Sequence, residues 1–290
     1  MVRKRMRRFV ARSVRVLAVP VVLAGVAAAA GIAPAGPAVA AVAAQARIGE
    51  PRTFIPFDGQ FNGAAVTSGG AAWAVGLDSG PMAQYWNGKT WTAKSTLGLN
   101  APDGTFYSVA ATAPGNAWAV GFIPGADSQA SLIARWNGKA WKRVSSPNPG
   151  PEGTILTGVA ATSASNAWAV GTIAPGNSFQ AKVLIEHWNG HSWRIDPASQ
   201  PPECGCVLLG VGATSKTNAW AVGEDTDHLG FTDIVIEHWQ GKRWRPVKSP
   251  VQEGLLTGVA VASTGRAWAV GSPFQLNTSL IVTWNGKAWH

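Results

Sequence analysis

Cysteine and tyrosine occur only twice each in 290 residues, methionine three times, and charged residues make up just 13% of the chain. Two cysteines, Cys204 and Cys206, cannot supply a disulfide framework, so stability has to come from burial. Beyond residue 46 no segment repeats apolar residues at helical spacing, which argues against a bundle or a helical solenoid. A surplus of one charge sign is also missing, although the totals conceal it. The chain has 24 Lys+Arg against 15 Asp+Glu, a formal net charge of +9. Seven of those basic residues (Arg3, Lys4, Arg5, Arg7, Arg8, Arg12 and Arg15) lie at the very start, which leaves 17 of the 24 against 15 acids. That near-balance removes the argument for a nucleic-acid partner.

The start of the chain explains the imbalance. MVRKRMRRFVARSVR is basic, and Val16 to Ala46 is uncharged and rich in Ala, Val, Gly and Leu. The stretch ends in AVA at Ala38–Ala40 and AQA at Ala44–Ala46. A basic region, an apolar region and a small-residue cleavage pattern predict a secretory signal peptide over residues 1–46. The remainder, 47–290, is then expected to be secreted, with no membrane contact once the signal is removed. The alternative is an uncleaved membrane anchor, because more than about 18 uncharged residues could span a bilayer. Pro20, Pro34, Pro37 and the Ala-x-Ala ends favour cleavage.

What the chain has in abundance is tryptophan, 15 residues in a pattern of three repeated five times. AWAVG recurs at Trp73, Trp118, Trp168, Trp220 and Trp268, with Trp spacings of 45, 50, 52 and 48. Each is followed by a W-x-G-x-x-W hairpin starting at Trp86, Trp136, Trp188, Trp239 and Trp284. A period of 40 to 50 residues means a solenoid or a propeller. Within the third unit four strands can be read: ILTGVAAT, AWAVG, KVLIEHW and HSWRI, bounded by Ser, Asn, Gly and Pro. Asn-Gly between Trp-bearing runs signals a tight hairpin, read here as a type I′ turn. The expected fold is an all-β, five-bladed β-propeller of four-stranded antiparallel blades. The blades lie near 61–95, 105–147, 154–197, 207–250 and 255–290 in a single domain.

Strand alternation places Trp168 and Val170 on one face and Ala167 and Ala169 on the other. A large-residue face on one blade needs a small-residue face on the next to fill space. The ten tryptophans named above are therefore expected in the core, with aromatic platforms for sugars as the alternative. In the middle units the last strand runs on past its Trp, whereas after Trp289 only His290 remains. RTFIP, residues 52–56, sits where the last strand of a preceding unit would lie, and is expected to complete the fifth blade and close the ring. The alternative is a chain cut from a longer array.

The turns sort by face. Those between first and second strands are short and alike (TSGG, APGN, SASN, SKTN, STGR), as are the Asn-Gly and Gln-Gly turns at the same end. The opposite end carries long, dissimilar loops such as FIPGADSQAS and DPASQPPECGC. Binding residues concentrate on loops held by a rigid scaffold, so a ligand is expected at the long-loop face.

The unit VAATSxxNAWAVG…LIEHWNGxxW resembles the repeats of secreted bacterial propellers grouped with Kelch and galactose-oxidase-type propellers. It is also similar to tectonin repeats of tachylectin-like carbohydrate-binding proteins. The resemblance covers residues 50–290 and implies the fold. It implies carbohydrate binding by analogy, since tectonin repeats are usually shorter. Only Tyr85 and Tyr107 are available, so the site of a copper-radical oxidase is not evident. Double glycines occur once, at Gly69-Gly70, and WD dipeptides and sialidase Asp boxes are absent.

Candidate chemistry is sparse. Glu186-His187 and Glu237-His238 look like acid–base pairs, but neighbours on a strand face opposite ways, so they are read as solvated or interblade polar residues. Asp225, Asp227 and His228, with Asp233 beyond, form the densest oxygen cluster and could hold Ca²⁺, although the calcium-loop pattern is not met; a solvated loop is the alternative. Cys204-Gly205-Cys206 can close a small disulfide, with free thiols or a metal site as alternatives. Asn277-Thr278-Ser279 is a formal glycosylation sequon. No catalytic or cofactor-binding residue is assigned, and no cofactor is expected apart from calcium.

These features point to a secreted, non-catalytic binding module, expected as a monomer, with a carbohydrate or protein ligand. A glycan-active enzyme and a structural surface protein are the alternatives. Export should remove the basic segment. Intact-mass analysis of secreted material should show a start near Ala41 or Arg47, and recovery of the uncut chain from membranes would favour the anchor.

Overall fold

The computed structural model describes residues 59–125, 128–150, 153–173, 181–198, 204–227, 229–273 and 278–290. The expected signal peptide (1–46), closing strand (52–56), His228 and Asn277 lie outside the described residues. Among the described residues nineteen strands form five antiparallel sheets packed like propeller blades, and each sheet is one sequence repeat. Blade one contains β1 (Gln60–Val66), β2 (Ala72–Leu77), β3 (Pro81–Trp86) and β4 (Trp91–Ala93). Blade two contains β5 (Thr105–Ala113), β6 (Asn116–Ile123), β7 (Ala130–Trp136) and β8 (Trp141–Arg143). Blade three contains β9 (Thr154–Ser163), β10 (Asn166–Ile173), β11 (Lys182–Trp188) and β12 (Trp193–Ile195). Blade four contains β13 (Cys206–Ser215), β14 (Asn218–Thr226), β15 (Thr232–Trp239) and β16 (Trp244–Pro246). Blade five contains β17 (Leu255–Val261), β18 (Ala267–Ser272) and β19 (Leu280–Trp284), and a bridge from Trp284 to Trp289 starts a fourth position. The first strands of successive blades touch, β1 on β5, β5 on β9, β9 on β13 and β13 on β17, which brings them together at the centre of the array.

Tryptophan fills the seams between blades. Trp73 and Val75 pack onto Ala117, Ala119 and Ala134 of the next blade, beside Trp136 and Trp141. The ring of Trp73 lies 5.0 Å from Trp136 and 4.9 Å from Trp141. Trp118 meets Trp188 and Trp193 in the same way, and Trp220 meets Trp284 and Trp289. Trp73, Trp118, Trp168 and Trp220 are fully buried. Trp268 departs from the expected core: it is 38% exposed, because among the described residues no other sheet covers its face of blade five. Trp86 is half-buried at the other end of the array for the same reason, and Trp284 is half-buried at the rim of its seam.

The glycine that closes AWAVG is required by a bulge. The first strand of every blade has one extra residue at the same place: Asn62, Tyr107, Thr157, Leu209 and Thr257 are skipped in the register with the second strand. The bulge pushes the first strand's backbone against the glycine. A Cβ on Gly171 would collide with the carbonyl oxygen of Ile155, and the other four glycines are alike. Bulged residues also staple the seams: Asn62 Nδ2 donates to Phe106 O at 2.9 Å and Thr157 Oγ1 to Leu208 O at 2.6 Å. The Asn-Gly hairpins differ from the expected type I′ turn. Trp136 pairs with Trp141, so the loop has four residues, and its glycine has positive φ while its asparagine does not. Instead Asn137 Oδ1 accepts the N–H groups of Lys139 and Ala140, both at 3.0 Å.

Trp168→Ala should cost about 3–5 kcal/mol, because it opens a cavity between blades three and four. Trp268→Ala, on the uncovered face, should cost well under half of that at micromolar concentration. Denaturant midpoints of the two variants test the difference.

Candidate functional site

On the short-turn face, blades three and four leave an open cleft of about 500 Å³. Its floor and walls are the β9–β10 turn (Thr162, Ser163, Ser165, Asn166), His187, the hairpin residue Asn189, and Lys216, Trp239 and Gly241 of blade four. The strand pattern puts these groups there. His187 points away from Glu186 and stacks flat on Trp168, with ring centres 4.8 Å apart and planes inclined by 6°. His187 Nε2 lies 2.9 Å from Asn166 Oδ1, an acceptor, so Nε2 carries the proton. Asn166 is fixed in turn by donating to Thr162 Oγ1 at 2.7 Å. Trp239 is held by its indole N–H, which donates to Lys216 O at 3.0 Å. His187 Nδ1 lies 3.6 Å from Asp196 Oδ2, and burial holds both groups toward their neutral forms, against their mutual attraction.

The same construction recurs in the neighbouring seams, once with the same side chains and twice with others. His238 stacks on Trp220 at 3.8 Å and bonds Asn218 Oδ1 through Nε2 at 2.9 Å; burial pushes its pKa down to about 4. In blade two Arg135 takes this place, 5.0 Å over the ring of Trp118, with Nε and Nη2 on Asn116 Oδ1. In blade one it is Tyr85, 4.9 Å from Trp73. A rim of planar groups on buried Trp rings, three of them also bonded to an asparagine, therefore runs along this face. Sequence reasoning missed it because it looked to the long loops. The signal was present in the Asn of NAWAVG and in the residue before each hairpin Trp.

The companion glutamates point the other way, into the seams. Glu186 is fully buried with both carboxyl oxygens unpartnered, and Glu237 nearly so with Oε2 unpartnered. The indole N–H groups of Trp118 and Trp193 in the first of these seams, and of Trp168 and Trp244 in the second, are unpartnered as well. Desolvation raises the Glu186 pKa to about 8 and that of Glu237 to about 7, so both are largely protonated in mildly acidic solution.

At the long-loop end, the segments 126–127, 151–152, 174–180, 199–203, 228 and 274–277 lie outside the described residues. Two of the carboxylates nearby serve backbone. Asp227 Oδ1 accepts the N–H groups of Leu229 and Phe231 at 2.8 and 3.0 Å, and Asp225 Oδ1 that of Gly205 at 2.9 Å. Asp225 faces Asp233 across the β14–β15 pair, and its pKa is raised by burial and by the charges of Asp233 and Asp227. Among the described residues the set of three ligand atoms lying within 4.8 Å of one another is Cys204, Cys206 and Asp225, rather than the three aspartates. The structure joins Cys204 to Cys206 in a disulfide, which leaves no thiolate for a metal.

No family model matches the sequence, and no curated protein matches it. Solved structures do match. YCF48 bound to D1 peptide shares 16% identity at a TM-score of 0.52, over 81% of this chain and 69% of that one. The fucose-specific lectin from Aleuria aurantia shares 12% at 0.50, over 78% and 76%. The alpha-L-arabinanase of Penicillium chrysogenum, complexed with arabinobiose, shares 11% at 0.50, over 82% of each chain. At these identities the likeness is one of fold: this chain is an all-β, propeller-like repeat protein.

The buried glutamates set the pH response. Their pKa values are raised above the ordinary 4.5, so the native chain holds protons that the unfolded chain releases, and stability is lost as pH rises toward 8. The depressed His238 acts oppositely, but only below about 6.5. Between pH 6.5 and 8 melting should therefore fall, by about 1–2 kcal/mol from Glu186 alone. Glu186→Gln should flatten that slope in pH-resolved melting curves, since Gln, Ala and Val occupy the equivalent positions 84, 134 and 282.

Proposed function

We propose that the chain is an exported, non-catalytic module that binds carbohydrate in the seams of its short-turn face. The cleft between blades three and four carries this reading. It offers hydroxyls (Thr162, Ser163, Ser165), amides (Asn166, Asn189) and one ammonium (Lys216) around the edge of Trp239 and the stacked His187. Such a set matches a ring of sugar hydroxyls, each of which donates and accepts. The lining has no carboxyl group, whereas glycoside hydrolysis uses two across the scissile bond. An open shelf also suits one side of a sugar better than an enclosed reactive centre. The shared fold of a fucose-specific lectin and of an arabinanase holding arabinobiose supports glycans as the ligand class. The peptide on YCF48 makes a protein ligand the outcome to be tested against. Export rests on the basic and apolar N-terminal segment, residues 1–46.

A glycan array followed by calorimetry on the best hit tests this. Lys216→Ala with Ser165→Ala should weaken binding about tenfold, equivalent to about 1.4 kcal/mol, with melting unchanged. An array without hits, or binding indifferent to both substitutions, would remove the cleft as the site.

A further inference from the structure

The described part of the chain uses one interface four times and leaves one half of it at each end. In every internal seam, the AWAVG tryptophan of one blade enters between the hairpin tryptophans and the alanine shelf of the next. Blade five presents the entering half with no other described sheet against it: Trp268 is 38%, Val270 46% and Ile281 67% exposed. Their counterparts in blade four, Trp220, Val222 and Ile236, are buried in a seam. Blade one presents the receiving half: Val66 is 39% exposed, and Trp86 and Trp91 are half-buried. Neither exposed set includes Asp, Glu, Lys or Arg, so contact between them would desolvate no charge. Apolar surface of this kind, on a repeating and already established interface, marks a place where another surface packs.

We propose that the uncovered face of blade five docks on the uncovered face of blade one in a second copy of this chain, head to tail. Every copy carries both halves, so no other component is required, and the contact repeats the packing of the four internal seams. The two halves differ, so a twofold dimer cannot use them symmetrically. The contact is heterologous, and repetition yields a ring of copies or an open chain of them.

Light scattering and sedimentation of the full chain across about 1–200 μM decide the matter, together with Ile281→Lys and Val66→Lys. Each substitution spoils one half at an exposed position. The wild-type mass should rise with concentration. Each variant alone should remain at the mass of one chain, with wild-type melting. An equimolar mixture should form a one-to-one dimer and nothing larger, because one intact interface remains. A wild-type mass fixed at one chain, or a mixture that stays monomeric, would overturn the proposal. So would a variant that melts far below the wild type as a monomer, which would mean the two faces close on each other within one chain. Association that survives both substitutions would place the contact elsewhere, as through the apolar N-terminal segment.

Discussion

The insertion of one indole per repeat into the next blade is the contact on which the rest of the structure depends. Trp73, Trp118, Trp168 and Trp220 each enter a seam lined by alanines and a pair of hairpin tryptophans. A tryptophan is too large to enter unless the facing strand is small, so Ala alternates with Trp in AWAVG. The hairpin has to project two more tryptophans on one face, and a four-residue loop, capped by its own asparagine in four of the five blades, does so. The bulged first strand leaves no room for a side chain at the closing glycine. Each residue of the short repeat thus answers to the same packing demand.

Because the seams are filled by a fixed set of residues, the positions at their rims are left to vary. Tyr85, Arg135, His187 and His238 are one structural position with three chemistries, and three of the four residues lie on an asparagine as well as a buried indole. The buried side of the same strands varies too. Ala134 and Val282 complete an apolar seam, whereas Glu186 and Glu237 bring a carboxyl group among unpartnered indole N–H groups. Buried acids without a partner are costly when charged, so these seams tolerate them in the protonated form. The scaffold is strong enough to carry such departures, and the departures give each seam its own character.

Chain-level pattern was sufficient for the repeat, the four-strand unit, the all-β class and the separation of large and small faces, because strand alternation and a period of about 50 residues are local properties of sequence. The opposed directions of Glu186 and His187 follow from the same alternation. Other features depend on which blade meets which. The cleft takes Asn166 and His187 from one blade and Lys216 and Trp239 from the next, residues that no spacing rule brings together. The exposure of Trp268 is equally invisible in sequence, where it is one of five identical motifs; only packing reveals that its face meets no other described sheet. Burial of both carboxyl oxygens of Glu186 is likewise a property of the seam and not of the strand. Periodicity determined what each blade is made of, and tertiary packing decided what each blade touches, because side-chain direction is set within a strand whereas contact requires two.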